Sequence, residues 1–486
     1  MKNIAYLILI VLLAIIVRFY FYTGHIFSDD AYYSFLGYSL LNGNLPSHFF
    51  GYPIFPLRIN EIFLYALSFK LFGINETATI IFPFIFSILN IFLTYSLTKL
   101  LTKNESISLL ASFLVALFPT DVVFATIAFP DLINVFFINL GIFFLIKAFQ
   151  STKIWFSILS GVPFFISMQF KENMFYFVIL LFAAWIYCLI KKRSSHYLLL
   201  IPIIFVCFNF FIEGVYYLIT QGEFFYRLKA TQANYIYSYY DFFPQTAYKA
   251  MGSNKSYFLA LLYQIFVINI RSVFLRRFYL FLPIIAIIQS FINFKKKQNW
   301  LLIFWFIGLA VLLIGFTTSL NQYKPLDLHR SWYIYPLLMP IVILSALFLY
   351  KLKNYVKYFA ICLCIIFSII MCKSYETFFN TQTNQEFKKF IRENSEEVIY
   401  TDFFTKYSID LLWGYKNEQN LKKILGQDFD LTDIPVGDWV IYNKKHVDEL
   451  KLQKHKFPKF TVLDSNKFKE IVSFGDFNVF ERVSNP

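Results

Sequence analysis

Two adjacent carboxylates, Asp29 and Asp30, follow directly on the first oily run, in the stretch Ser28-Asp29-Asp30-Ala31-Tyr32-Tyr33. An acid pair there has two uses. One is structural: Ser28 or Asp29 can cap a helix that begins at Ala31, and acids favour a helix N-terminus. The other is chemical. Adjacent acids beside an apolar wall repel each other, which raises the pKa of one and suits it to general-base work. The two uses are compatible, because a capping carboxylate held at a membrane surface is also a positioned base.

Cations and further acids recur at similar positions. Arg58, in Gly51-Tyr52-Pro53-Ile54-Phe55-Pro56-Leu57-Arg58, is a guanidinium able to grip a phosphate, or an interfacial arginine that snorkels. Asp131 opens an apolar run just after Pro130, with Asp121 ten residues earlier, and the structural reading is again a helix-start acid. Lys171-Glu172-Asn173 fills a tight turn between two apolar runs. A lysine there is costly unless it is paired or used. His329 and Arg330 stand immediately before a run that carries Pro336 and Pro340, where they suit an anionic head group or a plain interfacial anchor. The remaining histidines show no metal-ligand spacing, and no P-loop, GxGxxG, GxSxG or HExxH motif is present.

The elements that must position these groups are membrane elements. The chain has 486 residues, of which 58% are hydrophobic and only 15% charged, with 64 Phe and 34 Tyr. That much apolar surface excludes a soluble domain. Apolar runs at about 4–22, 77–99, 105–119, 130–149, 154–170, 173–190, 197–219, 272–293, 299–319, 332–350 and 356–372 give about eleven candidate spans. The first is read as a retained span, since no small-residue cleavage site follows it. The five cysteines all lie in oily runs, which leaves no disulfide framework and no cysteine metal site.

The net charge of +14 resembles a nucleic-acid signal only until it is divided along the chain. From Lys373 onward about 17 basic and 18 acidic residues nearly cancel. The excess lies in the short loops, as at Lys99, Lys147, Lys191 and Lys351, and the cause is topology: cytoplasmic loops carry extra Lys and Arg. With the N-terminus inside, Glu105 is the one acid before residue 373 on the inner side. All the chemistry-bearing residues then fall on the outer side, and so does the tail. No nucleic-acid partner is expected.

Three outer segments are long. Residues 23–76 carry two amphipathic stretches, about 30–42 and 58–72, expected to lie in the interface as helices. Residues 220–271 are rich in Tyr. The tail reads as a helix at about 376–394 followed by strands in Glu396–Phe404, Val436–Lys445 and Val472–Val483. The expected organisation is a transmembrane domain over 1–372 and a small α/β extracytoplasmic domain over 373–486. A pump or channel would bury polar groups at mid-membrane. Here they gather at one surface, which suits a substrate with an oily tail in the bilayer and a charged head outside.

On these residues the chain resembles the GT-C glycosyltransferases, in particular the branch that includes protein O-mannosyltransferases and the aminoarabinose transferase of lipid A. The resemblance rests on the first span with Ser28-Asp29-Asp30-Ala31-Tyr32-Tyr33, on the stretch from Tyr52 to Leu101, on Leu117–Leu145, on Gln169–Leu180 and on His329–Pro340. The carboxylate pair is its most specific item. Two departures are Asp30, where the family more often has Glu, and the tail, which matches no family motif.

The resemblance implies a GT-C type all-α polytopic membrane protein with a small extracytoplasmic domain. It implies inverting transfer of a monosaccharide from a polyprenyl-phosphate carrier to a glycolipid, glycan or protein acceptor outside a plasma membrane. By carry-over, Asp29 is the base and Asp30 belongs with it to the catalytic pair. Arg330 and His329, then Lys171, then Arg58 hold the donor phosphate, and Asp131 orients the acceptor, or a divalent metal ion if one is used. Two rival readings remain: a lipid-linked saccharide flippase or other transporter, and a polysaccharide polymerase or ligase.

Overall fold

The computed structural model describes residues 2–46, 48–49, 52–53, 58–172, 174–230, 281–294, 300–315, 331–416, 420–423, 433–444 and 467–483. His329, Arg330 and most of the Tyr-rich segment 220–271 lie outside them.

The first apolar run forms α1 (Lys2–Tyr20). Two helices of the first loop follow, α2 (Asp29–Leu41) and α3 (Ile59–Phe72), within a residue of the two amphipathic stretches expected there. Between them His48–Phe49 pairs with Tyr52–Pro53 as a minimal antiparallel ribbon, β1 and β2. The bundle continues with α4 (Glu76–Thr102), α5 (Glu105–Ala116), the short α6 (Pro119–Phe124) and α7 (Pro130–Ser151). After these come α8 (Ile154–Met168), α9 (Met174–Ile190) and α10 (Tyr197–Gln221). Beyond the undescribed segment stand α11 (Phe281–Phe294) and α12 (Trp300–Gly315). The last two bundle helices are α13 (Leu338–Lys351) and α14 (Asn354–Phe378).

Local chemistry sets the breaks. Asn75 and Asn104 cap α4 and α5 by accepting the amides of Ala78 and Ile107. Prolines occupy the first turns of α6 and α7, where no donor is lost.

Among the described residues six helices are long and apolar enough to cross a membrane, and four more apolar helices are shorter. The expected count of about eleven included those shorter segments. α5, at 12 residues, extends only about 18 Å against a hydrocarbon core of about 30 Å. It ends at Ala116, just before the Phe118-Pro119 step, instead of running on to residue 119.

The last bundle helix is longer than the apolar run at 356–372. No break occurs at 372/373: α14 runs through it to Phe378, and the chain turns at Asn380, a left-handed residue with φ 49°. There α15 (Thr381–Glu393) begins. Next come β3 (Ile399–Thr401), α16 (Phe403–Leu412) and β4 (Leu421–Lys423). The sheet is completed by β5 (Trp439–Asn443), β6 (Phe468–Phe474) and β7 (Phe477–Arg482). Its strand order is β4-β3-β5-β7-β6, parallel where β3 meets β4 and β5, antiparallel beyond. The three expected strand stretches are all used, and the last folds as the β6–β7 hairpin around Gly475.

One end of the bundle gathers the chain turns that matter. The Gly24 amide donates to the Thr126 carbonyl at 3.0 Å, and the Asn60 amide donates to the Gln169 carbonyl at 3.4 Å. At the other end Lys99 meets Glu105 at 2.7 Å and Gln150 donates to the Leu100 carbonyl.

Candidate active site

The acid pair divides. Asp29 is exposed, at the first turn of α2, while Asp30 is fully buried. Ser28 occupies the N-cap position but makes no side-chain cap. The work is done by Asp30, which accepts the amides of Ile26 at 2.5 Å, Ser28 at 2.7 Å and Ala31 at 3.0 Å, and faces His25 Nδ1 at 3.0 Å. Burial by itself would raise its pKa. The His25 charge and hydrogen bond, with the backbone amides, more than offset that and hold the carboxyl below its usual range. Asp30 therefore ties the entry to α2, and Asp29 is left at the surface.

Both cation candidates that fall within the described residues are paired, and not with their sequence neighbours. Lys171 meets Asp131, not the adjacent Glu172, at 2.6 Å, and its ammonium lies 5.4 Å from the Tyr333 ring centre. Arg58 reaches Glu172 at 3.1 Å and donates to the Tyr33 hydroxyl. Asn134, one helical turn after Asp131, donates to the Lys171 carbonyl at 3.1 Å. Thus α2, α3, α7 and the α8–α9 turn bring Asp29, Arg58, Asp131 and Lys171 to one end of the bundle. The Glu172 carboxyl is also pulled below its usual range: burial opposes this, and the charges of Arg58 and Arg227 prevail.

Sequence reasoning missed three participants. Tyr33 bridges toward Arg58 from α2. Arg227 grips both Glu213 oxygens, at 2.8 and 2.7 Å, and the Met168 carbonyl. Glu61, on α3, is fully buried and accepts the Tyr65 hydroxyl at 2.7 Å. Burial pushes its carboxyl up to about 8, against the Tyr65 hydrogen bond and the Arg58 charge. An acid directly before the apolar run Ile62–Phe69 was its only sequence signal. Deeper in the bundle Arg18 pairs with Asp121 at 2.5 Å, so Asp121 is spent inside and not at the surface.

The tail packs against this end. Glu76, opening α4, accepts from Lys388 at 2.5 Å, Arg392 at 2.8 Å and the His25 amide at 2.9 Å. His25 Nε2 lies 2.9 Å from Ser408 Oγ. Phe35 and Tyr38 of α2 stack on Tyr407 and Tyr415 at 4.0 and 3.8 Å. No group of three or more His, Cys, Asp or Glu is arranged to hold a metal among the described residues.

Comparison with known proteins agrees with this architecture. The family model for dolichyl-phosphate-mannose-protein mannosyltransferase matches residues 61–212. The chain is similar in fold to ArnT from Cupriavidus metallidurans, solved bound to undecaprenyl phosphate, with TM-score 0.60 at 10% identity over 99% of this chain and 98% of that one. It is also similar to the oligosaccharyltransferase of Archaeoglobus fulgidus tethered with an acceptor peptide containing the NVT sequon. There the TM-score is 0.57 at 13% identity over 93% and 72% of the two chains. A third is archaeal AglB from Archaeoglobus fulgidus in complex with an inhibitory peptide and a dolichol-phosphate (TM-score 0.53, 12% identity, 85% of this chain). This chain spans 64% of the length of that AglB chain. A search of the curated proteins found no match.

The fold is thus that of a GT-C polytopic membrane protein. The family-model match adds a likeness in sequence to the dolichyl-phosphate-mannose-protein mannosyltransferases over residues 61–212.

Proposed function

We propose that the protein is an inverting glycosyltransferase that moves a monosaccharide from a polyprenyl-phosphate carrier to an extracytoplasmic glycolipid, glycan or protein acceptor. The observation that carries this reading is the convergence of Asp29, Arg58, Asp131 and Lys171, remote in sequence, at one end of a GT-C bundle. The likeness in fold, the family-model match over residues 61–212 and the polyprenyl phosphates named with two similar structures support it.

In this mechanism Asp29 takes the proton of the acceptor hydroxyl as its oxygen attacks the anomeric carbon. The bond from that carbon to the phosphate oxygen breaks on the opposite face, so configuration inverts and the lipid phosphate leaves. Its growing charge must be met by donors already in place. Lys171, with three ammonium donors, and Arg58, with a guanidinium fork, are assigned to that task, each held in place by one carboxylate. His329 and Arg330 are proposed to join them from the sequence just before Ser331. Asp131 is assigned to orient the acceptor, through the same contact that holds Lys171. The domain over residues 373–486 is proposed to cover this end from outside the cell, with the N-terminus of the chain in the cytoplasm.

The test offers the purified protein a panel of polyprenyl-phosphate monosaccharides, with membrane extract as acceptor, and measures release of lipid phosphate. Wild type is expected to release it from one donor. No release from any donor, with the protein folded and the lipids bound, would sink the reading in favour of a transporter.

A further inference from the structure

Glu61 has no task in the mechanism above, yet it stands among the groups assigned to the donor phosphate. It is fully buried, and its Oε1 accepts from Tyr65. Among the described residues nothing donates to its Oε2. A buried carboxyl oxygen without a partner is costly to keep, on the order of 1–3 kcal/mol, which singles it out as a contact point for something bound.

The surrounding charges narrow the chemistry. Arg58 precedes α3, and Lys171 and Asp131 come from the α8–α9 turn and α7; all three act on the Glu61 carboxyl. Glu172 joins through Arg58, Tyr33 faces the group from α2, and Asp30 acts on Tyr65. Asp30 is balanced by His25. Two cations, Arg58 and Lys171, are each balanced by one carboxylate, Glu172 and Asp131, and Asp29 adds its charge through Tyr33. An ionised Glu61 would set a further negative charge beside a bound anion, whereas a neutral one adds no repulsion and presents an O–H donor.

We propose that Glu61, in its protonated form, positions the phosphate of the lipid-linked donor, its Oε2–H donating to a phosphate oxygen. The assignment rests on the donor reading given under Proposed function. Burial of the carboxyl, which keeps it protonated up to about pH 8, is the supporting physical cause.

The experiment measures affinity of the purified full-length protein for undecaprenyl phosphate at about pH 7 and about pH 9, wild type beside Glu61→Gln. A phosphate monoester completes its second ionisation near pH 6, so the ligand's own charge changes little over this interval. Wild type is expected to lose about tenfold in affinity, since each pH unit above the pKa of a required acid is a factor of ten. Glu61→Gln, which cannot ionise, is expected to lose less than about threefold. Infrared difference spectra provide an independent readout. A protonated-carboxyl band is expected in wild type at about pH 7, fading toward pH 9 and missing in Glu61→Gln. An absent band, or an equal pH slope in the two proteins, overturns the role of Glu61 while leaving the donor reading intact. A titrating band with no lipid bound at any pH overturns the donor reading and this role with it.

Discussion

Asp30 shows how a residue's type and its task come apart. Its carboxylate accepts three backbone amides and faces a buried histidine, so removing its charge should be felt as lost stability first. Asp30→Asn is expected to destabilise the protein by about 3 kcal/mol, the order expected for breaking a buried pair, read as a lower thermal midpoint in detergent. Because the folded carboxyl sits below its ordinary pKa, the stability it contributes is present above about pH 4 and is lost as the pH falls through its lower folded value. Wild type should therefore lose more stability on acidification than Asp30→Asn does. Asp29→Asn should do the reverse. The thermal midpoint is expected to stay near that of wild type, and transfer should fall by about 100- to 10,000-fold, the range for a lost general base. Near-normal lipid-phosphate release by that variant would remove Asp29 from its assigned role. The pair itself was legible in the sequence. Which acid is buried was not, because that depends on His25 and on where the chain bends before α2.

At the scale of elements, the path from α1 to α2 depends on a close approach. Gly24 has φ +69°, and a Cβ built there would come within 2.4 Å of Glu76 Oε1. Only glycine combines that conformation with that proximity. Gly24→Ala is expected to cost about 1–3 kcal/mol, the scale of a strained backbone residue, and to lower the thermal midpoint measurably; an unchanged midpoint would show that the turn relaxes. The amphipathic stretches of the first loop were readable as helices to within a residue, since the recurrence of apolar positions every three to four residues is a local property. The end of α5 and the continuation of α14 past residue 372 were not. The first is set by the Phe118-Pro119 step and the second by a single left-handed residue at Asn380, both hidden inside apolar or weakly polar sequence.

Across the whole molecule, the bundle and the tail are joined where the site lies. Glu76 accepts from Lys388 and Arg392, and α2 stacks on Tyr407 and Tyr415. Burial also pulls the Lys388 ammonium below its ordinary pKa, against the Glu76 charge, which marks the joint as desolvated. Lys388→Met is expected to lower the unfolding midpoint by an amount equivalent to about 3 kcal/mol, as for an orphaned buried charge. It should also expose the chain beyond Asn380 to protease at lower temperature. Cleavage at the wild-type temperature would remove this ion pair from the joint.

The sequence by itself determined the membrane class, the acid pair behind the first span, the strands of the tail and the resemblance to GT-C enzymes, because hydropathy, short motifs and local periodicity are written in neighbouring residues. Only the tertiary structure decided that Lys171 pairs with Asp131 and Arg58 with Glu172, that Asp121 is spent on Arg18, and that Glu61 lies buried among the cations. Those choices rest on charges tens of residues apart meeting in a medium that water does not screen, where each must find a partner or give up its charge.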